Sequence, residues 1–171
     1  MNRVFYFTAR VDGGHHTESA DSIERQKASR RRQFDYLKAI ETLQTVTVVE
    51  GRFLRKRLKC RDCGHTRYVP EEKKSDVNIA TQLMADAFHD RFDIGVVVSG
   101  DSDLSDAIRL VREEFREKQL IVAFPPTRKS KELRTVATNS IDVWRKTLRK
   151  CQFPDSVPIG RGAVRRPNEW T

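Results

Sequence analysis

The sequence predicts an α/β fold on a mostly parallel sheet. Three observations lead there. Short runs of β-forming residues alternate with longer segments of helical periodicity along most of the chain, and strands alternating with helices favour parallel pairing through right-handed crossovers. Two of the runs, Ile94–Val98 and Gln119–Phe124, are nearly continuous in apolar residues, as expected of strands covered on both faces. The first of them stops at Ser99-Gly100-Asp101-Ser102-Asp103, an acidic turn at the strand end where open α/β sheets bind ligands.

Taken in order, Val4–Val11 alternates and reads as a strand, ended by Asp12-Gly13-Gly14. His15–Ser22 is a polar loop, with His15 and His16 solvated in it. A helix follows to about Leu43, its apolar face set by Phe34, Leu37, Ile40 and Leu43 at threefold spacing. Thr45–Val49 is a second strand, closed by Gly51. Residues 52–70 form a basic hairpin insertion around Cys60-Arg61-Asp62-Cys63-Gly64. The helix from about Ser75 to Asp90 places Val77, Ala80, Met84, Ala87 and Phe88 on one face.

After the acidic turn, a helix is expected from Leu104 to about Glu117, then the strand Gln119–Phe124, closed by Pro125-Pro126. Ser130 suits the N-cap of a helix running through Ala137, and Ile141–Trp144 a short strand. The chain thus divides into one domain over residues 1–150 and a Pro-, Gly- and Arg-containing tail over 151–171, expected to be extended.

Composition narrows the partners. With 33 Lys and Arg against 24 Asp and Glu, the 171-residue chain carries a formal +9, and a positive field attracts polyanions, nucleic acid first among them. The basic residues cluster at Arg30-Arg31-Arg32, at Arg55, Lys56, Arg57 and Lys59, at Arg128, Lys129 and Lys131, and at Arg161, Arg165 and Arg166. Arg55, Lys56, Arg57, Arg128 and Lys129 are the candidates for contacts to a nucleic-acid backbone. No apolar run approaches the ~18 residues of a membrane span, and the first residues lack the apolar stretch of a signal peptide. Three cysteines make no disulfide framework, so a reducing cytoplasm is the expected compartment.

Asp101 and Asp103, two apart in one turn, can converge on a hard cation that takes oxygen ligands; Ser99 and Ser102 could position a water or a phosphate oxygen. Helix capping by Ser102 or Asp103 is the competing explanation. Asp76 opens the preceding helix, where capping and complementing the helix dipole would account for a lone acid. Beside Asp101 and Asp103 a third carboxylate gains meaning, since crowded acids are tolerated chiefly when cations or protons neutralise them. Cys60 and Cys63 have a metal-knuckle spacing that suits Zn²⁺. Closing a four-ligand site would need His65 and Cys151 or other groups, and two reduced surface thiols in a hairpin are the favoured explanation of the motif.

The motifs Glu71-Glu72-Lys73-Lys74-Ser75-Asp76-Val77-Asn78 and Ser99-Gly100-Asp101-Ser102-Asp103-Leu104, in this order, resemble the NYN branch of the PIN-like nucleases, the group related to the LabA/DUF88 proteins. The likeness runs from Tyr6-Phe7-Thr8-Ala9-Arg10-Val11 through Gly51-Arg52-Phe53, Phe124-Pro125-Pro126 and Glu132-Leu133 to Gln152-Phe153-Pro154 and Arg166-Pro167-Asn168-Glu169-Trp170. The resemblance implies a three-layer α/β/α fold and an acidic site for Mg²⁺ or Mn²⁺ at Asp76, Asp101 and Asp103, with Ser99 as a supporting polar group. It implies endonucleolytic hydrolysis of RNA, a metal ion activating the attacking water.

One departure stands out. Family members usually begin with a strand carrying Asp-Gly-x-Asn, whose Asp is a metal ligand; this chain starts at what resembles the second strand, and Asp12-Gly13 matches that motif only superficially. An apparently missing first strand is therefore expected, with impaired cleavage. RNA and a second copy of the chain, in a homodimer, are the expected partners; the alternatives in function are a non-catalytic RNA-binding or regulatory module of the same fold and a small-molecule phosphatase. The phosphatase is disfavoured because no Asp-x-Asp nucleophile follows the first strand.

Overall fold

The structure, a computed structural model, describes residues 3–10 and 20–168. Asp12, Gly13, His15, His16, Glu169 and Trp170 lie outside the described residues. The chain divides into two compact units, Met1–Ser75 with Phe153–Thr171, and Asp76–Gln152.

In the first unit, β1 (Val4–Thr8) pairs in parallel with β2 (Val46–Glu50), Val4 opposite Val46 and Thr8 opposite Glu50. The crossover between them is α1 (Ala20–Glu41), which buries Leu37, Ala39 and Ile40. Tyr36 on α1 packs edge-on against Tyr6 of β1 and against Phe153, with ring centroids 5.8 and 6.1 Å away, a geometry aromatic quadrupoles favour. Of the apolar face expected on this helix, Phe34 and Leu43 are exposed.

The insertion at 52–70 is a two-stranded antiparallel ribbon, β3 (Arg52–Lys59) with β4 (Thr66–Lys73). Gly51 leads into it because nothing larger fits: a Cβ there would stand 2.7 Å from the Lys73 carbonyl oxygen. Residues 156–165 of the expected tail fold back on themselves. They form the hairpin β8 (Ser156–Pro158) and β9 (Ala163–Arg165), fastened by Arg166, whose backbone N–H donates to the Asp155 carbonyl at 2.9 Å and whose guanidinium bonds the Asp155 carboxylate. Strands of three residues are too short to leave a readable alternation.

The second unit holds α2 (Ser75–Phe88, its first residue in the other unit), β5 (Ile94–Val98), a 3-10 turn (Ser102–Leu104), α3 (Ser105–Glu114), β6 (Gln119–Phe124), α4 (Lys131–Val136), β7 (Asn139–Asp142) and α5 (Arg145–Lys150). Its sheet is parallel throughout, in the order β5-β6-β7, with Ile94 opposite Gln119 and Ile121 opposite Asn139. Ser130 caps α4 as expected, its hydroxyl accepting from the Leu133 N–H at 3.2 Å. The core is Leu104, Ile108 and Val111 from the 3-10 turn and α3, Leu120, Val122 and Phe124 from β6, and Leu133 from α4, none more than 1 % exposed.

Three expectations are corrected here. Ile94–Val98 is not covered on both faces: Val97 is buried, whereas Ile94, Val96 and Val98 are 56–66 % exposed. On α2, Val77 and Phe88 lie outside the packed face. The strand placed at Ile141–Trp144 is instead Asn139–Asp142, because Thr138 N–H reaches the Leu120 carbonyl and Val143 N–H the Phe124 carbonyl, fixing both ends on β6. Trp144 then precedes α5, a helix of basic and polar residues around the single apolar Leu148, without a periodic apolar face to announce it.

Candidate functional site at the end of strand β5

The turn after β5 is shaped by its own side chains. Ser99 Oγ accepts the Asp101 backbone N–H at 3.1 Å, and Asp101 Oδ1 accepts the Asp103 N–H at 3.2 Å, capping the 3-10 turn. Capping is thus real, but it falls to Asp101, not to Ser102 or Asp103, and uses one carboxylate oxygen. Among the described residues, Asp101 Oδ2 and the Asp103 carboxylate have no hydrogen-bond or ion-pair partner, and Asp103 is exposed.

Gly100 sets the turn against a neighbouring loop. A Cβ at Gly100 would lie 2.6 Å from Arg128 Cβ and 2.8 Å from the Arg128 carbonyl oxygen. The structure therefore brings Arg128, singled out for its charge, against the acidic turn. Lys129 is partly committed elsewhere: its ammonium bonds Asp142 at 2.7 Å, and Arg134 reaches the same carboxylate at 3.4 Å. The hydrogen bond from Lys129, then the nearby charges of Lys129 and Arg134, hold the Asp142 carboxyl below its ordinary value.

A second support was not singled out from the sequence. Ser105, buried at the start of α3, donates its hydroxyl to Glu132 at 2.7 Å, tying α3 to α4 immediately behind the turn. Glu132 sits in the Glu132-Leu133 pair that carried the family likeness, yet nothing local distinguishes it from a solvated helix acid.

Asp76 stands exposed in the first turn of α2. Among the described residues, no three His, Cys, Asp or Glu side chains gather as a group able to hold a metal ion. The donors that are present still suit Mg²⁺, a hard cation usually held by one or two carboxylates with waters and substrate phosphate completing the shell.

The remaining candidates lie on the β3–β4 ribbon. Arg55, Lys56 and Arg57 are successive residues of β3, so Lys56 and Arg57 face opposite sides. The Lys56 ammonium lies 3.9 Å from Glu71, and Arg57 is exposed. Cys60 and Cys63 are exposed and in no disulfide, at the ribbon's tip, where Cys60 N–H donates to the His65 carbonyl at 2.8 Å and Gly64 N–H to the Cys60 carbonyl at 3.1 Å. Cys151, after α5, is also an exposed thiol. Among the described residues, no helix is long and apolar enough to cross a membrane.

Comparison with known proteins adds three findings. The NYN domain family matches residues 19–145. A curated relative, 6-hydroxy-3-succinoylpyridine 3-monooxygenase HspA of Pseudomonas putida, is 26% identical over 190 aligned positions, covering 98% of this chain and 57% of its own length. The chain thus spans little more than half of that relative. A crystal structure of a protein of unknown function from Vibrio parahaemolyticus aligns with 84% of this chain and 94% of its own at 17% identity, with a TM-score of 0.38.

Proposed function

The chain belongs to the NYN domain family of the PIN-like nuclease superfamily, and from that premise we propose that it is a metal-dependent endoribonuclease whose reacting end is the Ser99–Asp103 turn. The observation that carries the reading is the pair of carboxylates there, Asp101 and Asp103, with oxygens unpartnered among the described residues and a basic loop packed against Gly100. The net charge of +9 suits a polyanionic substrate. A three-layer α/β/α arrangement belongs to the same proposal, supported by the parallel pairings of β1–β2 and β5–β6–β7.

Asp101 and Asp103 would hold Mg²⁺ or Mn²⁺, with Asp76 as a third acid of the reacting end. A cation so bound polarises the phosphodiester and lowers the pKa of its water. The protein's own part is orientation. Ser99 fixes the Asp101 backbone, Asp101 fixes Asp103, and the Ser105–Glu132 hydrogen bond holds the helix that follows. Cys60 and Cys63 offer two of the four ligands of a zinc site on the ribbon, which metal analysis of C60S/C63S against the wild type would read out.

The test is cleavage of single-stranded RNA with added Mn²⁺. Asp101→Asn and Asp103→Asn should each lower the rate by orders of magnitude, with Asp76→Asn in the same direction. Wild-type cleavage and metal dependence in D101N would remove the assignment.

A second reading rests on the alignment over 98% of the chain with a monooxygenase named for a hydroxylated pyridine. Under it the domain would help bind such a heterocycle. Saturable binding of 6-hydroxy-3-succinoylpyridine, with no effect of D101N on it, would favour this second reading.

A further inference from the structure

Two arginine clusters far apart in sequence meet in the first unit. Along α1, Ala28, Arg31, Arg32 and Asp35 fall at the spacing of one helical stripe. The β8–β9 hairpin closes on that stripe, and together they bound a cleft of about 440 Å³ lined also by Val164 and Arg165. We infer that this cleft is a nucleotide-phosphate site, through which the domain holds a single-stranded RNA outside the acidic turn; the inference rests on the RNA reading above.

The chemistry is that of the lining. Three guanidinium groups face one carboxylate, Asp35, leaving the cleft with an excess of positive charge. Among the described residues neither the Arg31 nor the Arg165 guanidinium has a hydrogen-bond or ion-pair partner. Arg166, beside Arg165, is committed to Asp155, and that bond fastens the hairpin so that Arg165 is carried on a closed ribbon, not on a loose tail. A guanidinium presents a planar fork that matches two phosphate oxygens at once. Ala28 and Val164 give the cleft an apolar part against which a base or ribose can lie. The volume falls within the ~300–1,000 Å³ of small-ligand sites.

The sequence alone could not make this assignment, because residues 31 and 165 are joined only by the folding back of the hairpin on α1. The cleft's ligand chemistry, a phosphate on a nucleoside, could come from an RNA strand or from a free mononucleotide.

The experiment measures anisotropy of a labelled single-stranded RNA 12-mer without divalent metal, with AMP as competitor. R31A/R165A should weaken binding at least about tenfold, the size of one lost charge-assisted hydrogen bond. It should also reduce the log–log salt slope by roughly 1.4, from two phosphate contacts of about 0.7 each. D35N, which removes the cleft's one negative charge, should tighten binding severalfold, a gain that misfolding cannot produce. Displacement of RNA only by millimolar AMP identifies a strand as the ligand; AMP binding as tight as RNA identifies a free nucleotide. Wild-type affinity and slope in R31A/R165A, no tightening in D35N, or a wild-type protein that binds neither ligand, overturns the inference. The two readings separate cleanly. RNA binding that needs Arg31 and Arg165, without Mn²⁺-dependent cleavage, ends the nuclease reading alone; cleavage with RNA affinity indifferent to both arginines ends this one alone.

Discussion

Gly100 carries more of the site than its size suggests. Its Cα sits so close to the Arg128 backbone that a methyl group would meet three Arg128 atoms within 2.9 Å. Backbone cannot swing aside as a side-chain end can, so Gly100→Ala must separate the acidic turn from the 125–129 loop. Overpacking of this kind costs about 1–3 kcal/mol. Urea denaturation of G100A should show a loss of that order, and Mn²⁺-dependent cleavage should fall with Asp101 and Asp103 still in place. A variant as stable and as active as the wild type would mean that the two loops are independent. The acids themselves were legible as a cluster ending an apolar strand. What the sequence withheld was their division of labour, because which carboxylate caps depends on the backbone angles of the turn, and Asp101 adopts the extended conformation that lets its oxygen reach the Asp103 N–H.

At the scale of elements, the end of β5 away from the site is pinned by one buried cation. Lys118, 4 % exposed, donates to Asp90 at 2.5 Å and to the Phe92 carbonyl at 2.9 Å, joining the chain after α2 to the start of β6. Asp90 itself adopts φ 53°, a left-handed conformation that Asp tolerates at a helix end. The hydrogen bond from Lys118 holds the Asp90 carboxyl below its ordinary 3.8, and the bond to Asp90 raises the Lys118 ammonium above 10.5. The depressed carboxylate contributes stability above its unfolded pKa and loses it as pH falls through the folded value. The raised ammonium contributes below its unfolded pKa and loses it only as pH rises through the folded value. Asp90→Asn should therefore lower the Tm by a constant amount from about pH 5 to about pH 9. The difference from wild type should vanish on further acidification. A difference that grows toward low pH would contradict the pairing.

Elements were read from the sequence in proportion to their length and periodicity. β5, β6, α2 and α4 stand close to where the pattern put them, and the Ser130 cap is where its chemistry required. The β8–β9 hairpin and α5 escaped because neither has an apolar period; the hairpin is held by Asp155–Arg166 and α5 merely follows β7. The continuous apolar run of β5 misled for a physical reason. It shows what a strand can bury, not what neighbours are present to bury it, and Val96 and Val98 remain open.

For the whole molecule the governing quantity is charge. Under the ribonuclease reading, an excess of nine positive charges would make backbone attraction, not base reading, the main source of RNA affinity. Each phosphate neutralised releases counterions and adds about 0.7 to the log–log salt slope for single strands. If Arg31 and Arg165 in the cleft, Arg128 beside the acidic turn and Arg57 on the ribbon each engage one phosphate, the slope should be near −2.8, from roughly four contacts at about 0.7. Raising salt from about 50 to about 200 mM should then weaken binding roughly fiftyfold, with little dependence on base sequence. Arg57→Ala and Arg128→Ala, measured singly, should each reduce the slope by about 0.7. Lys129→Ala should change it less, since Lys129 already spends its charge on Asp142. Titrations of the wild type and these variants over that salt range decide the matter. A slope near zero would mean that the positive field serves no polyanion, and the affinity of the domain would then have to come from contacts to uncharged groups.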